Sequence, residues 1–171
     1  MASILKVNTI QDATNSNTAL SIDSSGRITE PNRPAFQANV NSNAWATLST
    51  GDIIPFNDVS TGNNFDVGGD FNTSSYRFVA PVTGKYQFLF NCYSFNSDSV
   101  NAFRLHKNGS ALSTSGSGNY DFQGGQAGSV DETISGVINV DLTASDYVDI
   151  RASTGSDYFG SYTHFGGHLI G

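Results

Sequence analysis

No part of this chain narrows its possible folds more than residues 76–93, which read YRFVAPVTGKYQFLFNCY. After Gly84, large side chains alternate with mostly polar ones, and this period of two is typical of a β-strand that buries one face. Pro81 has no amide hydrogen to donate to a sheet, so it belongs at a strand end, and Gly84 suits the turn that follows. We therefore expect a hairpin whose aromatic face forms a β core. The predicted core residues are Tyr76, Phe78, Tyr86, Phe88 and Phe90.

The remaining sequence also favours strands over helices. Its 171 residues are rich in Gly, Ser, Asn and Thr, and no window shows convincing helical periodicity. The Asn108-Gly109 dipeptide marks a tight hairpin turn. Further strands are predicted at short spacing for residues 34–40, 45–48, 53–59, 102–107, 134–142, 147–152 and 162–170. The pattern predicts an all-β sandwich or jelly roll of about eight to ten antiparallel strands.

Residues 1–33 differ from the rest of the chain because they contain no aromatic residue. Residues 19–28 are typical of a β-hairpin, because apolar residues lie on both sides of a polar turn. A lone hairpin of this size is only marginally stable in water, so it needs a partner. A proline-containing joint follows it. We therefore expect two parts, an attachment or trimerisation arm at residues 1–33 and a jelly-roll head at residues 34–171.

Charge and composition exclude several classes of function. The formal net charge of −7 argues against nucleic-acid binding, which requires a basic surface to neutralise phosphates. No apolar run approaches the roughly 20 residues of a membrane-spanning helix, so no membrane partner is expected. The first residues lack a basic segment followed by an apolar one, so we expect no secretory signal. Cys92 is the single cysteine, and its place on the aromatic face favours a buried apolar side chain over a reactive thiol.

Several motifs of the head follow the order in which a known family has them. Within residues 76–88 an aromatic residue and a proline precede Gly-x-Tyr-x-Phe, and this central motif is the most specific. The others are Pro34-Ala35-Phe36, Ile54-Pro55-Phe56-Asn57, Phe65-Asp66, Lys107-Asn108-Gly109, residues 136–142 with Asp146-Tyr147-Val148, and residues 165–170. Residues 34–170 therefore resemble the globular C1q domain, the jelly roll shared with tumour necrosis factor. The resemblance implies a homotrimer around a three-fold axis.

The chain departs from that family in its first residues. No collagen-like Gly-x-y stalk precedes the head, so the resemblance does not carry over complement or hormone roles. Residues 1–33 instead resemble the start of fibre or virion structural proteins of tailed bacteriophages, especially marine ones. This second resemblance implies a virion protein that is made in the host cytoplasm and is attached to other virion proteins through its arm.

Two sets of residues are predicted to make contacts outside the subunit. Aromatic residues off the main aromatic face could pack between subunits, the alternative being a tilted part of the core. The predicted trimer-interface residues are Tyr93, Phe95, Phe103, His164 and His168. Residues 63–73, 110–128 and 153–161 are predicted loops, and loop tips usually carry recognition residues. Exposed aromatic rings in such loops stack on sugars or contact a protein partner. The candidates for binding a host cell-surface glycan or protein are Tyr120, Phe122, Tyr158 and Phe159, unless they fold back onto the sandwich.

Metal and catalytic chemistry find little support in the sequence. Carboxylates in loops can bind calcium, with solvated turn residues as the alternative. The weak calcium candidates are Asp66, Asp70, Asp146 and Asp149. His164 and His168 would lie about 13 Å apart along a strand, too far to share one metal ion. No G-x-S-x-G, H-E-x-x-H or Walker motif is present, so we predict no catalytic residue and no cofactor other than this calcium candidate.

Three functions fit these observations. The leading hypothesis is a non-enzymatic, trimeric virion protein, a fibre, spike or capsid decoration, which displays its head for host-surface binding. The alternative is a free C1q-like module that binds carbohydrate or protein, as a lectin does. The third is a glycan-degrading fibre enzyme, which would need paired carboxylates in a groove.

Overall fold

The computed structural model describes residues 4–95, 101–113, 121–124 and 131–171. The chain divides into two compact units, Met1–Arg33 and Pro34–Gly171. Apart from one 3-10 turn, the regular structure of the described residues is β-strand, so the all-β prediction is confirmed. Across the described residues, no helix has the length and apolar character that a membrane crossing needs.

The first unit is a three-stranded antiparallel sheet. Its strands are β1 (Thr9–Gln11), β2 (Thr18–Ile22) and β3 (Ile28–Thr29). Asp23 closes the β2–β3 turn, because its carboxylate accepts hydrogen bonds from the backbone N–H groups of Ser25 and Arg27 and pairs with the Arg27 guanidinium at 2.7 Å. None of the described residues 4–33 is buried, and Ile4 and Leu5 are largely exposed. This sheet therefore has no core of its own.

The second unit is a sandwich of two antiparallel sheets. In chain order its strands are β4 (Ala35–Asn39), β5 (Trp45–Leu48), β6 (Phe65–Val67), β7 (Phe71–Asn72), β8 (Arg77–Val79), β9 (Gly84–Phe95), β10 (Ala102–Lys107), β11 (Ser110–Ala111), β12 (Asp121–Gln123), β13 (Asp131–Leu142), β14 (Tyr147–Ala152), β15 (Ser156–Phe159) and β16 (His164–Leu169). The larger sheet has the order β5-β15-β9-β16-β4-β6, and β13 also pairs with β9. The smaller sheet has the order β11-β10-β14-β8-β7, and β12 also pairs with β10.

The core between the two sheets is mainly aromatic. β9 pairs with β13 without interruption, from Gly84 opposite Leu142 to Phe95 opposite Asp131, so alternate residues of both strands face the core. The fully buried aromatic side chains are Phe36, Phe56, Phe78, Tyr86, Phe88, Phe90, Phe103 and Phe165. The structure thus buries four of the five predicted core residues. It leaves Tyr76 half-buried in the turn before β8. The predicted hairpin across Gly84 is wrong, because β8 pairs with β7 and β14 in the smaller sheet whereas β9 belongs to the larger one.

Two glycines make room for aromatic rings in this core. A Cβ atom on Gly136 would lie 2.4 Å from the ring of Phe122, and one on Gly167 would lie 2.5 Å from the ring of Phe88. The ring of Phe122 also lies 5.2 Å from that of Phe90. Each ring therefore occupies the space that a side chain would take at the glycine.

All three segments predicted as loops contain strands, and β6 and β7 lie within residues 63–73. Within residues 110–128, β12 pairs with β10 and buries Phe122. Within residues 153–161, β15 pairs with β5 and β9 and buries Tyr158. The prediction that Phe122 and Tyr158 are exposed loop aromatics is therefore wrong, because strands distant in sequence pair with these segments and place alternate residues inward. Residues 53–59, predicted as a strand, are instead joined to their neighbours by isolated bridges.

We expect Gly167→Ala to lower the free energy of unfolding by about 1–3 kcal/mol, because the added methyl group overlaps the Phe88 ring in a close-packed core. Gly155→Ala is the matched control, since its added Cβ would meet only the carbonyl oxygen of Leu48, at 3.7 Å. Urea unfolding followed by the fluorescence of Trp45, the single tryptophan, measures both. Equal stability of the two variants would contradict this packing.

Candidate subunit interface and binding surface

The outer face of the larger sheet, the surface that points away from the core, carries an apolar row. Leu89 on β9 lies opposite Val137 on β13 and opposite Gly166 on β16. Gly166 in turn lies opposite Gln37, and Gln37 lies opposite Phe65. Leu89, Val137 and Phe65 are exposed in the single subunit. The row thus places three large apolar side chains across five neighbouring strands, where water contacts them.

An aromatic cluster extends the outer face beyond this row. Its members are Trp45, Tyr93, Phe95, Phe159 and Tyr162, and the contacting ring pairs have centroids 5.1 to 6.3 Å apart. Such pairs are worth about 0.5–1.5 kcal/mol each beyond the area they bury, so the rings hold one another in place. Trp45 and Tyr162 remain exposed. Contiguous exposed apolar surface of this kind marks an interaction site on a soluble protein.

A shallow cavity of about 380 Å³ lies on this face, lined by Asn91, Tyr93, Thr133, Tyr162 and His164. His164 lies opposite Asn39 in the β4–β16 ladder. The buried Nδ1 of His164 and Oδ1 of Asn39 have no hydrogen-bond partner within the described part of the chain. Burial lowers the pKa of His164, because the charged imidazole loses more solvation than the neutral one.

Polar contacts border the outer face along β13. The Tyr93 hydroxyl donates to Oδ2 of Asp131 at 2.6 Å, and this bond raises the pKa of Tyr93 because ionisation would break it. Lys85 and Asp141 form an exposed ion pair at 2.8 Å. An apolar centre with a polar border is the usual composition of a protein–protein interface.

Four of the five predicted interface residues lie on the outer face. Tyr93 and Phe95 belong to the aromatic cluster, whereas His164 and His168 share the outer side of β16. Phe103 is fully buried with its ring 5.3 Å from that of Phe90. The prediction that Phe103 lies between subunits is therefore wrong, because β10 belongs to the smaller sheet and turns this residue toward the core.

The predicted binding aromatics do not form one site. Phe122 and Tyr158 are buried, Phe159 is half-buried in the aromatic cluster, and Tyr120 lies outside the described residues. Sequence reasoning missed Leu89 and Val137, although each is an apolar residue at a polar position of an alternating strand. That break in the alternation is the signal that could have identified the apolar row.

The acidic candidates are engaged by other groups of the chain. Asp146 accepts from the Asn108 amide at 2.7 Å and pairs with Lys107 at 2.9 Å, and these contacts lower its pKa to about 2. Asp149 is fully buried between Arg77 and Arg151, whose Nε atoms lie 3.0 and 2.7 Å from its oxygens.

The other acidic pair is Asp66 and Asp70. Asp66 accepts hydrogen bonds from the backbone N–H groups of Asp70 and Phe71. Burial raises the pKa of Asp70, and the negative charge of Asp66 adds to this shift. Among the residues that the structure describes, no three His, Cys, Asp or Glu side chains gather into a group that could hold a metal ion. Calcium binding stays a prediction.

The head matches a known family. The sequence model of the C1q domain matches residues 35–170. The chain belongs to the C1q domain family. Its C1q domain is similar in structure to the globular domain of zebrafish complement 1qA protein, with 23% identity and a TM-score of 0.60 over 81% of this chain and 98% of that chain. It is also similar to Eiger TNF from S. frugiperda, with 11% identity and a TM-score of 0.58 over 81% of this chain and 94% of that one.

These comparisons confirm the predicted jelly-roll fold of the C1q and TNF type. Domains of this family are non-enzymatic binding modules that assemble as trimers. The family match leaves residues 1–33 outside it. A comparison with curated proteins gives no match.

We expect the head to lose stability as the pH falls below about 6.5. Because burial lowers the pKa of His164, the unfolded chain binds this proton more readily than the folded one. The head therefore has its full stability at pH values above the pKa that His164 has in the unfolded chain. It loses stability as the pH falls from there through the lower pKa of His164 in the folded chain. Burial lowers the pKa of His106 in the same direction. Calorimetry above about pH 5, where ordinary carboxylates remain ionised, measures the effect.

His164→Gln should flatten this dependence of Tm on pH, and adding His106→Gln should flatten it further. Glutamine keeps the polar character of the position but does not titrate. A wild-type slope in the His164→Gln variant would show that this histidine is not the group responsible.

Proposed function

We propose that this protein is a non-enzymatic homotrimer and that its subunits meet through the outer face of the larger sheet. We propose further that it is a virion structural protein, a fibre, spike or capsid decoration, which displays its C1q head for host-surface binding. The observation that carries the trimer is the apolar row of Leu89, Val137 and Phe65 next to the aromatic cluster. Membership of a family of trimeric binding modules supports the same arrangement.

The outer face has the features of a surface that another subunit covers. Its apolar side chains are exposed in the isolated subunit. Burying them against another subunit would stabilise the assembly by roughly 25 cal/mol per Å² of apolar surface. A closed three-fold arrangement would place the same face of each subunit near the axis.

The arm supports attachment to a larger structure. Its three short strands bury no residue among those described, and Ile4, Leu5, Ile10 and Ile28 are exposed. A sheet this small is marginal in water unless another surface covers its apolar side chains. In the proposal, other virion proteins or the arms of the sister subunits provide that surface. The protein is then made in the host cytoplasm and resides in the virion.

Trimeric assembly also suits host-surface binding. Three equivalent heads on one axis present three copies of any binding site, and further copies on one particle multiply them. Linked weak sites gain avidity without new contacts, provided that the geometry lets them bind together. The proposed ligand is a host cell-surface glycan or protein, and the proposal includes neither a catalytic residue nor a cofactor.

Multi-angle light scattering should give wild-type protein the mass of three 18.1 kDa chains. Val137→Glu should give the mass of one chain, because a carboxylate would be buried without a partner in an apolar contact. Val137 is 63% exposed in the isolated subunit, so the substitution does not disturb its core. The matched control is Val79→Glu in the smaller sheet, 39% exposed, which should remain trimeric. A one-chain mass for the wild type would overturn the trimer.

Mass spectrometry of purified phage particles, with heads and tails separated, should find the chain in one of the two fractions. A chain that lacks residues 1–33 should be absent from particles, because it lacks the attachment segment. The full-length Val79→Glu variant is the control, since it keeps both the arm and the outer face. A chain found only away from particles would contradict the virion role and favour the free lectin-like module.

A further inference from the structure

A second cavity of the head, of about 600 Å³, is lined by residues that belong neither to the apolar row nor to the aromatic cluster. Its walls come from β5 and β15 of the larger sheet, from residues 52–55, and from the β7–β8 turn with the start of β8. The volume is within the range of about 300–1,000 Å³ that small-molecule sites occupy. The cavity therefore lies between the edges of the two sheets and has room for a small ligand.

The turn that forms one wall holds Tyr76 in an unfavourable backbone conformation. Tyr76 has a φ of 60°, in the left-handed region where a bulky residue costs about 1–2 kcal/mol. It is the last residue of a four-residue turn, because Asn72 and Arg77 pair across the β7–β8 hairpin. The Asn72 side chain fixes this turn by accepting hydrogen bonds from the N–H groups of Ser74 and Ser75, each at 2.9 Å.

Glycine is the residue that suits such a position, yet the chain has a tyrosine there. Strain of this kind persists at binding sites, where it is part of how a side chain is presented. The half-buried side chain of Tyr76 lines the cavity, and Tyr158 lines it from the opposite sheet. The strained turn thus supplies an aromatic wall that a glycine would remove.

Arg77 and Asp52, whose charges are opposite, also line the cavity, and each is held in place by a hydrogen bond to another residue. Nε of Arg77 donates to the buried carboxylate of Asp149 at 3.0 Å, and its guanidinium carbon lies 4.4 Å from the ring centroid of Tyr147. Oδ2 of Asp52 accepts from the backbone N–H of Ser49 at 2.8 Å. Arg77 therefore gives the cavity a fixed hydrogen-bond donor and Asp52 gives it a fixed acceptor, and the two charges cancel.

We propose that this cavity binds one neutral hexose unit of a glycan. A hexose has an apolar ring face that packs on an aromatic ring, here that of Tyr76, and hydroxyl groups that both donate and accept hydrogen bonds. Asp52 accepts from these hydroxyls and Arg77 donates to them, and bonds to charged groups are the stronger ones. The balance of one cation and one anion favours a neutral sugar over a charged one. The inference rests on the proposed host-surface binding and names its ligand class and site.

Saturation-transfer NMR with the full-length protein tests this site, with the methyl glycosides of glucose, galactose and mannose as millimolar probes and methyl glucuronide as the charged comparison. Wild-type protein should transfer saturation to at least one neutral glycoside. Tyr76→Gly should weaken that binding at least about tenfold through loss of the stacking ring, while thermal unfolding shows a fold at least as stable because glycine relieves the positive φ. Asp52→Asn should weaken it too.

Ser145→Gly is the matched control, because Ser145 also has a positive φ, 76°, in the turn between β13 and β14. It should relieve strain in the same way and bind like the wild type. Unchanged binding by Tyr76→Gly, preference for the glucuronide, or no binding of any neutral glycoside would each overturn the hexose site. Light scattering on the same samples separates the two proposals, since a three-chain mass without sugar binding removes this site and leaves the trimeric assembly standing.

Discussion

The pairing of β9 with β13 is the constraint on which the rest of the head depends. Twelve residues of each strand pair without a bulge. Along both strands, residues that face the core therefore alternate with residues that face outward over the whole length. A slip by one residue would turn Tyr86, Phe88 and Phe90 toward water and bring Leu89 into the core. The same register that fills the core thus also places Leu89 next to Val137 on the outer face.

This arrangement separates two surfaces of different chemistry. The outer face combines exposed apolar and aromatic side chains with a polar border, which suits another protein surface. The cavity between the sheet edges combines an aromatic wall with fixed charged groups, which suits a small polar ligand. Because the proposed subunit contact and the proposed ligand site use different residues, one protein can assemble through the first and bind through the second.

Much of the fold could be predicted from local sequence pattern. The long strand after Gly84, the turn at Asn108-Gly109 and the jelly-roll class follow from alternation and turn chemistry within short windows. The predicted pairing of the two strands around Gly84 was wrong, because β8 and β9 lie in different sheets. β12 and β15 could not be predicted in this way, since each is short and pairs with strands distant in sequence. The burial of Phe122 depends on Gly136, which belongs to another strand and leaves the space that the ring occupies.

The amino-acid sequence by itself determined the strand-forming alternation, the aromatic face of β9 and the family of the head. Only the tertiary structure decided which of the aromatic residues outside the aromatic face of β9 are buried in the core. Phe103 meets the core because its strand lies in the smaller sheet, whereas Tyr93 stays on the outer face of the larger one. Alternation tells which residues of a strand share a side, but the strands packed above and below determine whether that side meets protein or water.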